Sequence, residues 1–179
     1  MKQFFENYTA LVAKVDGFCR DVETNYGSAV SCRKGCDMCC RHLSLFPVEA
    51  VFIRFTMENV DEPISTLIHK NAHDRIEDPD GPCPLLDKGA CLLYQARPII
   101  CRTHGLPVLV EGDGELRVDH CPLNFRDGKR LEKRHVINLE QLNKTLAAIN
   151  RVFCDQVLEG AGVPDRLLLA EALLMDISG

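Results

Sequence analysis

The stretch Ser31-Cys32-Arg33-Lys34-Gly35-Cys36-Asp37-Met38-Cys39-Cys40 places four thiols within nine residues. Cysteines that merely fill a core come singly, at helical or strand spacing. Four in a loop that carries Gly35 and the charged Arg33, Lys34 and Asp37 read instead as metal ligands. A soft, thiolate-rich donor set selects zinc, an iron–sulfur cluster or Cu(I) over magnesium or calcium. Downstream, Cys83, Cys91, Cys101 and Cys121 form a looser second set. The rest of the chain reads as helices that bring the two sets together.

Written out, the pattern is C-x3-C-x2-C-C, then C-P-x6-C-x9-C-R, then H-C-P. Adjacent side chains diverge in most backbone conformations, so Cys39 and Cys40 are expected to serve two metals or two corners of one larger centre. Gly35 lets the backbone wrap around the thiolates. Arg33, Lys34, Arg41, Arg97 and Arg102 flank the candidates, and positive neighbours favour thiolate over thiol. Cys36–Cys39 alone has the spacing of a zinc knuckle. Cys83-Pro84 and Cys121-Pro122 resemble the cysteine–proline steps of ferredoxin ligands. They put an iron–sulfur cluster, 4Fe–4S first, ahead of Zn2+. His104 and His120 read as hydrogen-bonding neighbours of the ligands. His69 and His73, four apart, lack an acidic partner motif and read as a polar helix face. Cys19 and Cys154 fall on apolar helix stripes and read as core residues.

The chain has 179 residues, ten cysteines and a net charge of −5. That length suits one domain able to bury its own core. The negative balance, deepened by any metal-bound thiolate, argues against a nucleic-acid partner. The basic run Arg126–His135 has no interleaved aromatic residue and reads as a solvated loop and helix start. Glu6, Asn7 and Lys14 interrupt any apolar signal segment, and no stretch is long enough to span a membrane. A soluble, cytoplasmic protein with no membrane partner is expected. Thiols stay reduced there, so the cysteines point to metal or redox chemistry, not to disulfides.

Apolar periodicity predicts a helix over 2–24, stopped near Gly27. Pro47 opens a second helix at about 47–59, and a third follows at about 63–76. Asp78 to Gly81 is a turn. CPLL and ACLLY pair as a hairpin around Asp87-Lys88-Gly89, and Pro98 begins a short helical turn carrying Cys101. Strands at 106–110 and 115–119 flank a turn at Glu111 to Gly114. Asn138 with Gln141 caps a long helix to about Leu158, stopped by Gly160. A last helix runs from Pro164 to about Asp176. The expected fold is α+β, mostly α: a single domain, 1–179, of about five helices with small hairpins around a cysteine-rich metal centre at about 30–123. The helix at 2–24 and those within 138–177 flank that centre.

Cys32-x3-Cys36-x2-Cys39 also has the spacing of the radical S-adenosylmethionine cluster motif. Those enzymes need a larger, strand-rich partial barrel, and this short helical chain lacks the pattern for one. No phosphate loop, nucleotide fingerprint or Ser-His-Asp order is present.

CRKGCDMCC, CPLL, the cysteine of ACLLY, the Tyr94–Arg97-Pro98 spacing and Cys101-Arg102 together resemble the CxxCxxCC cysteine-cluster family of zinc- or iron-chelating, YkgJ-type proteins. The resemblance covers roughly 30–123, with a first gap of three residues instead of two. It implies metal binding by Cys32, Cys36, Cys39, Cys40, Cys83, Cys91, Cys101 and Cys121. Members often carry the label iron–sulfur oxidoreductase, which names no substrate. The expected function is therefore chelation of iron–sulfur cluster(s) or zinc, with a redox or electron-transfer role and a redox partner. The alternatives are a structural-zinc adaptor that binds a protein partner without catalysis, and a metal chaperone.

Overall fold

The computed structural model of the protein describes residues 2–112, 114–126, 128–158 and 164–177. Its helices are α1 (Glu6–Tyr26), α2 (Pro47–Met57), α3 (Glu62–Arg75), α4 (Ile99–Thr103), α5 (Leu139–Val157) and α6 (Leu169–Leu174). Its strands are β1 (Ser44–Leu45), β2 (Leu86–Asp87), β3 (Ala90–Cys91), β4 (Val108–Gly112), β5 (Glu115–Asp119), β6 (Ile137–Asn138) and β7 (Leu167–Leu168). This is an α+β fold, mostly α. None of the described helices is long and apolar enough to cross a membrane. The chain forms two compact units. One comprises Met1–Phe5, Lys34–Pro98 and Asn150–Gly179; the other comprises Glu6–Arg33 and Ile99–Ile149.

The first unit is built on α2, α3 and α6. Pro47 opens α2 where its missing N–H costs nothing, and the Glu49 carboxylate accepts the Phe46 N–H at 3.4 Å. Leu45, Ile53, Met57, Ile68, Leu85, Leu93, Leu169 and Leu173 make the core. Phe5 stacks on Phe153 and meets Phe52 edge-on.

The helix expected from Pro164 begins only at Leu169. Leu167 and Leu168 instead pair antiparallel with Leu45 and Ser44. The Leu169 N–H also bonds to the Leu43 carbonyl at 2.9 Å, and Glu171 caps the Leu168 N–H at 2.7 Å. The long-range partner took the first residues of the apolar run, and helix forms only after it. The expected stop at Gly160 lies outside the described residues.

The second unit is built on α1, which buries Tyr8, Leu11, Val15, Val22 and Tyr26 at three- and four-residue spacing. Val22, Tyr26, Leu106 and Phe125 form its core. The hairpin β4–β5 has Gly112 opposite Glu115, within one or two residues of expectation. Asp113 of its turn lies outside the described residues. A third strand, β6, joins β4 in parallel and had no local signal. Asn138 Oδ1 accepts the Gln141 N–H at 2.9 Å, the cap expected for α5.

The basic run does not lie wholly in solvent. His135 is fully buried, with Nε2 at 3.0 Å from Asp21 and Nδ1 at 3.2 Å from the Tyr26 hydroxyl. The Tyr26 oxygen accepts the Glu132 N–H at 3.1 Å, so its own proton is left for His135.

Candidate metal centre

In the first unit the cysteine loop is sewn to a second segment by backbone hydrogen bonds. The Cys83 N–H donates to the Cys40 carbonyl at 3.0 Å, and the His42 N–H donates to Gly81 at 2.9 Å. Arg41 and Pro82 form an antiparallel bridge between them. At the other end the Gly35 N–H donates to the Gly89 carbonyl at 3.0 Å. Gly35 and Gly89 both have positive φ, and a Cβ on Gly89 would stand 3.1 Å from the Gly35 Cα. Only glycine allows that approach of backbone to backbone.

His42, buried, ties the end of the loop down. Its Nε2 accepts the Ala170 N–H at 3.0 Å, so Nδ1 carries the proton toward the Asp78 carbonyl at 3.0 Å. Gly89 itself comes from a two-residue turn. Lys88 and Gly89 both have positive φ, as the right-handed twist of a tight hairpin demands, with Leu86 opposite Cys91.

These bonds bring Cys36, Cys39, Cys40, Cys83 and Cys91 into one unit. Burial pushes the Cys40 thiol up, and the neighbouring Cys91, Asp37 and Cys36 add to that. Burial, aided by the neighbouring Cys91 and Cys40 and opposed by the Leu85 N–H and Arg75, pushes the Cys83 thiol up to about 12. Cys91 is raised by burial, while the Leu93 N–H and the Arg97 guanidinium pull it down. The thiols thus sense one another across the two sewn segments.

Cys39 and Cys40 do not diverge as expected, because the Cys39 thiol hydrogen-bonds Cys40. The Arg41 N–H reaches back to the Cys39 carbonyl at 2.9 Å, a three-residue turn that removes the extended alternation on which divergence depends. Arg75 donates to the Cys83 carbonyl. Arg97 lies 3.5 Å over the Tyr94 ring and donates to the Tyr94 carbonyl at 2.9 Å. That is the physical content of the Tyr-x2-Arg spacing.

The second unit holds Cys32, Cys101 and Cys121. A Cβ on Gly105, at φ +88°, would stand 3.3 Å from both the Cys32 Sγ and the Cys121 Cβ, so these two flank one glycine. Cys101 sits in α4. Arg102, expected to offset thiolate charge, is buried with Nη1 2.7 Å from each oxygen of Asp16, which meets its charge locally. His120 Nδ1 lies 3.0 Å from the Cys121 carbonyl, and its ring packs on Phe125. His104 is exposed.

Cys19 and Cys154 are half-buried. Their thiols donate to the Arg102 carbonyl and the Asn150 Oδ1.

Among the described residues no three His, Cys, Asp or Glu side chains converge closely enough to grip a metal as they stand. The fold gathers thiols without closing them. Sulfur-only donors on glycine-hinged loops fit a thiolate-loving metal such as zinc or iron. The sequence reading missed Asn124 and Gly105, and read Gly89 only as part of a hairpin turn. Only the glycines carried a local signal, since each sits where a turn is required.

No curated protein and no solved structure matches the chain significantly. One family model matches residues 31–122, from just before Cys32 to just after Cys121, and it is described as "Putative zinc- or iron-chelating domain". That span is half of the chain and holds every thiol of the two sets, so the chain belongs to the CxxCxxCC family.

Proposed function

We propose that the protein binds metal through Cys32, Cys36, Cys39, Cys40, Cys83, Cys91, Cys101 and Cys121. An iron–sulfur cluster, 4Fe–4S first, is the primary candidate, and the role is redox or electron transfer. The observation that carries the reading is the sewing of 40–42 to 81–83. It makes Cys40 a neighbour of Cys83 and Cys91 although some forty to fifty residues separate it from them along the chain.

Once bound, such a cluster supplies a one-electron couple. The chain's own part is to present thiolates, exclude water on the Cys83 and Cys91 side, and place Arg97 beside Cys91. Zinc is the second reading, favoured by the turn that spaces Cys36 and Cys39 as a knuckle. In that case the protein is an adaptor held by a structural staple. A cytoplasmic site of action keeps the thiols reduced.

The test is purification without oxygen, followed by metal and sulfide analysis and a visible spectrum. Brown protein with acid-labile sulfide supports the iron–sulfur reading. Colourless protein with stoichiometric zinc supports the adaptor. Protein with neither metal overturns chelation.

A further inference from the structure

Asn124 is 1 % exposed, and the backbone around it fixes which way its amide points. Oδ1 accepts the Ser31 N–H at 2.8 Å, and Nδ2 donates to the Gly105 carbonyl at 2.7 Å. A primary amide has two N–H donors. The second reaches the Cys32 Sγ at 3.5 Å. A metal-bound sulfur carries no proton and can only accept, so this contact suits a ligating Cys32.

The niche is built for that geometry. Gly105 leaves no Cβ to fill the space among Cys32, Cys121 and Asn124. The Ser31 hydroxyl clamps the Leu123 carbonyl at 2.8 Å. Phe125, the next residue, is buried at φ +52°, a conformation that costs a bulky residue free energy. Its N–H bonds to the Ala29 carbonyl at 2.7 Å, so the strain is held by the packing on either side of Asn124.

We propose that Asn124 is the positioning residue of Cys32, holding its sulfur by an N–H···S hydrogen bond and so setting the electronic character of the metal–thiolate bond. The inference rests on the reading of Cys32 as a ligand. Outer hydrogen bonds of this kind orient ligands and tune the metal, and their loss typically costs 10–100-fold in affinity.

The test is cobalt(II) titration of the full chain, read by the thiolate-to-cobalt charge-transfer band. Asn124→Ala should shift the band and weaken cobalt binding by about tenfold. In a Cys32→Ser background the same substitution should change neither. An equal effect in that background would make Asn124 a general scaffold residue and overturn the proposal. An unshifted band with Cys32 intact would overturn it while leaving chelation standing. A wild-type protein that develops no thiolate band defeats chelation itself.

If Asn124→Ala does not fold, cadmium-loaded wild-type protein decides. A scalar coupling between cadmium and the Asn124 side-chain protons supports the hydrogen bond. An Asn124 amide with no such coupling refutes it.

Discussion

At the scale of single residues, Cys19 and Cys154 offer the cheapest control on the ligand set. Each already donates to a nearby oxygen, the Arg102 carbonyl or Asn150 Oδ1. Serine keeps a donor there, so Cys19→Ser and Cys154→Ser should retain full metal content and lose no more than about 1 kcal/mol of stability. Serine at Cys32, Cys36, Cys39, Cys40, Cys83, Cys91, Cys101 or Cys121 should lower metal content per chain. Metal analysis beside a urea melt checks both, and loss of metal from Cys154→Ser would undo the division. Gly89→Ala should be harsher than either control. It places a Cβ against the Gly35 Cα at a positive φ, so a cost of roughly 1–3 kcal/mol and weakened metal retention are expected in the same assays. The eight thiols were legible because their spacing is a chemical pattern along the chain. Asn124 was not, because a lone asparagine acquires its role only when Ser31, Gly105 and Cys32 arrive around it.

At the scale of elements, the hairpin β2–β3 and the caps make sharp predictions. Lys88 holds φ +46°, where a side chain with a long stem gains nothing locally. Asparagine tolerates that region and is preferred in such turns, so Lys88→Asn should raise stability by about 0.5–1 kcal/mol. A melting temperature unchanged or lowered would count against the turn assignment. Asn138→Ala removes the α5 cap and should cost about 1 kcal/mol. The same caps explain what could be read in advance. Pro47, Asn138 and the Asp87-Lys88-Gly89 turn each act within a few residues, and the elements they begin or close appear where expected. β1, β6 and β7 are two residues each, and their partners lie far along the chain. Nothing local in Leu167-Leu168 distinguishes a strand beside Ser44-Leu45 from the first turn of a helix.

At the scale of the molecule, the cores and the cysteine loops should come apart on metal removal. The core of α2, α3 and α6 is made of buried, mostly aliphatic side chains, so it is expected to persist without metal. Residues 34–42 and 81–91 rest on a handful of backbone hydrogen bonds and on Cys40, Cys83 and Cys91, whose thiols burial pushes up. Chelator should therefore open those two segments to protease while far-UV circular dichroism stays largely intact. Complete loss of helical signal would mean the metal holds the whole fold. For the same reason a peptide of residues 28–46 should bind metal much more weakly than the full chain, since its backbone partners at 81–89 are missing. Equal affinity would make the loop self-sufficient.

The order in which the two units are threaded has a consequence for synthesis. The chain leaves the first unit after Phe5, returns at Lys34, leaves again after Pro98 and returns at Asn150. Leu169, Ala170, Ala172 and Leu173 are translated after both cysteine segments, yet they sit fully buried in the core against α2 and α3. While a ribosome is still making the chain, the cysteine loop and its partner segment have already emerged, but the wall behind them has not. His42 likewise waits for Ala170. Nascent chains stalled after Ile149 should then show the thiols of Cys40 and Cys83 more open to alkylation than chains extended past Leu174. The segment that returns to the first unit at Asn150 thus times the moment at which the partly buried cysteines are shielded.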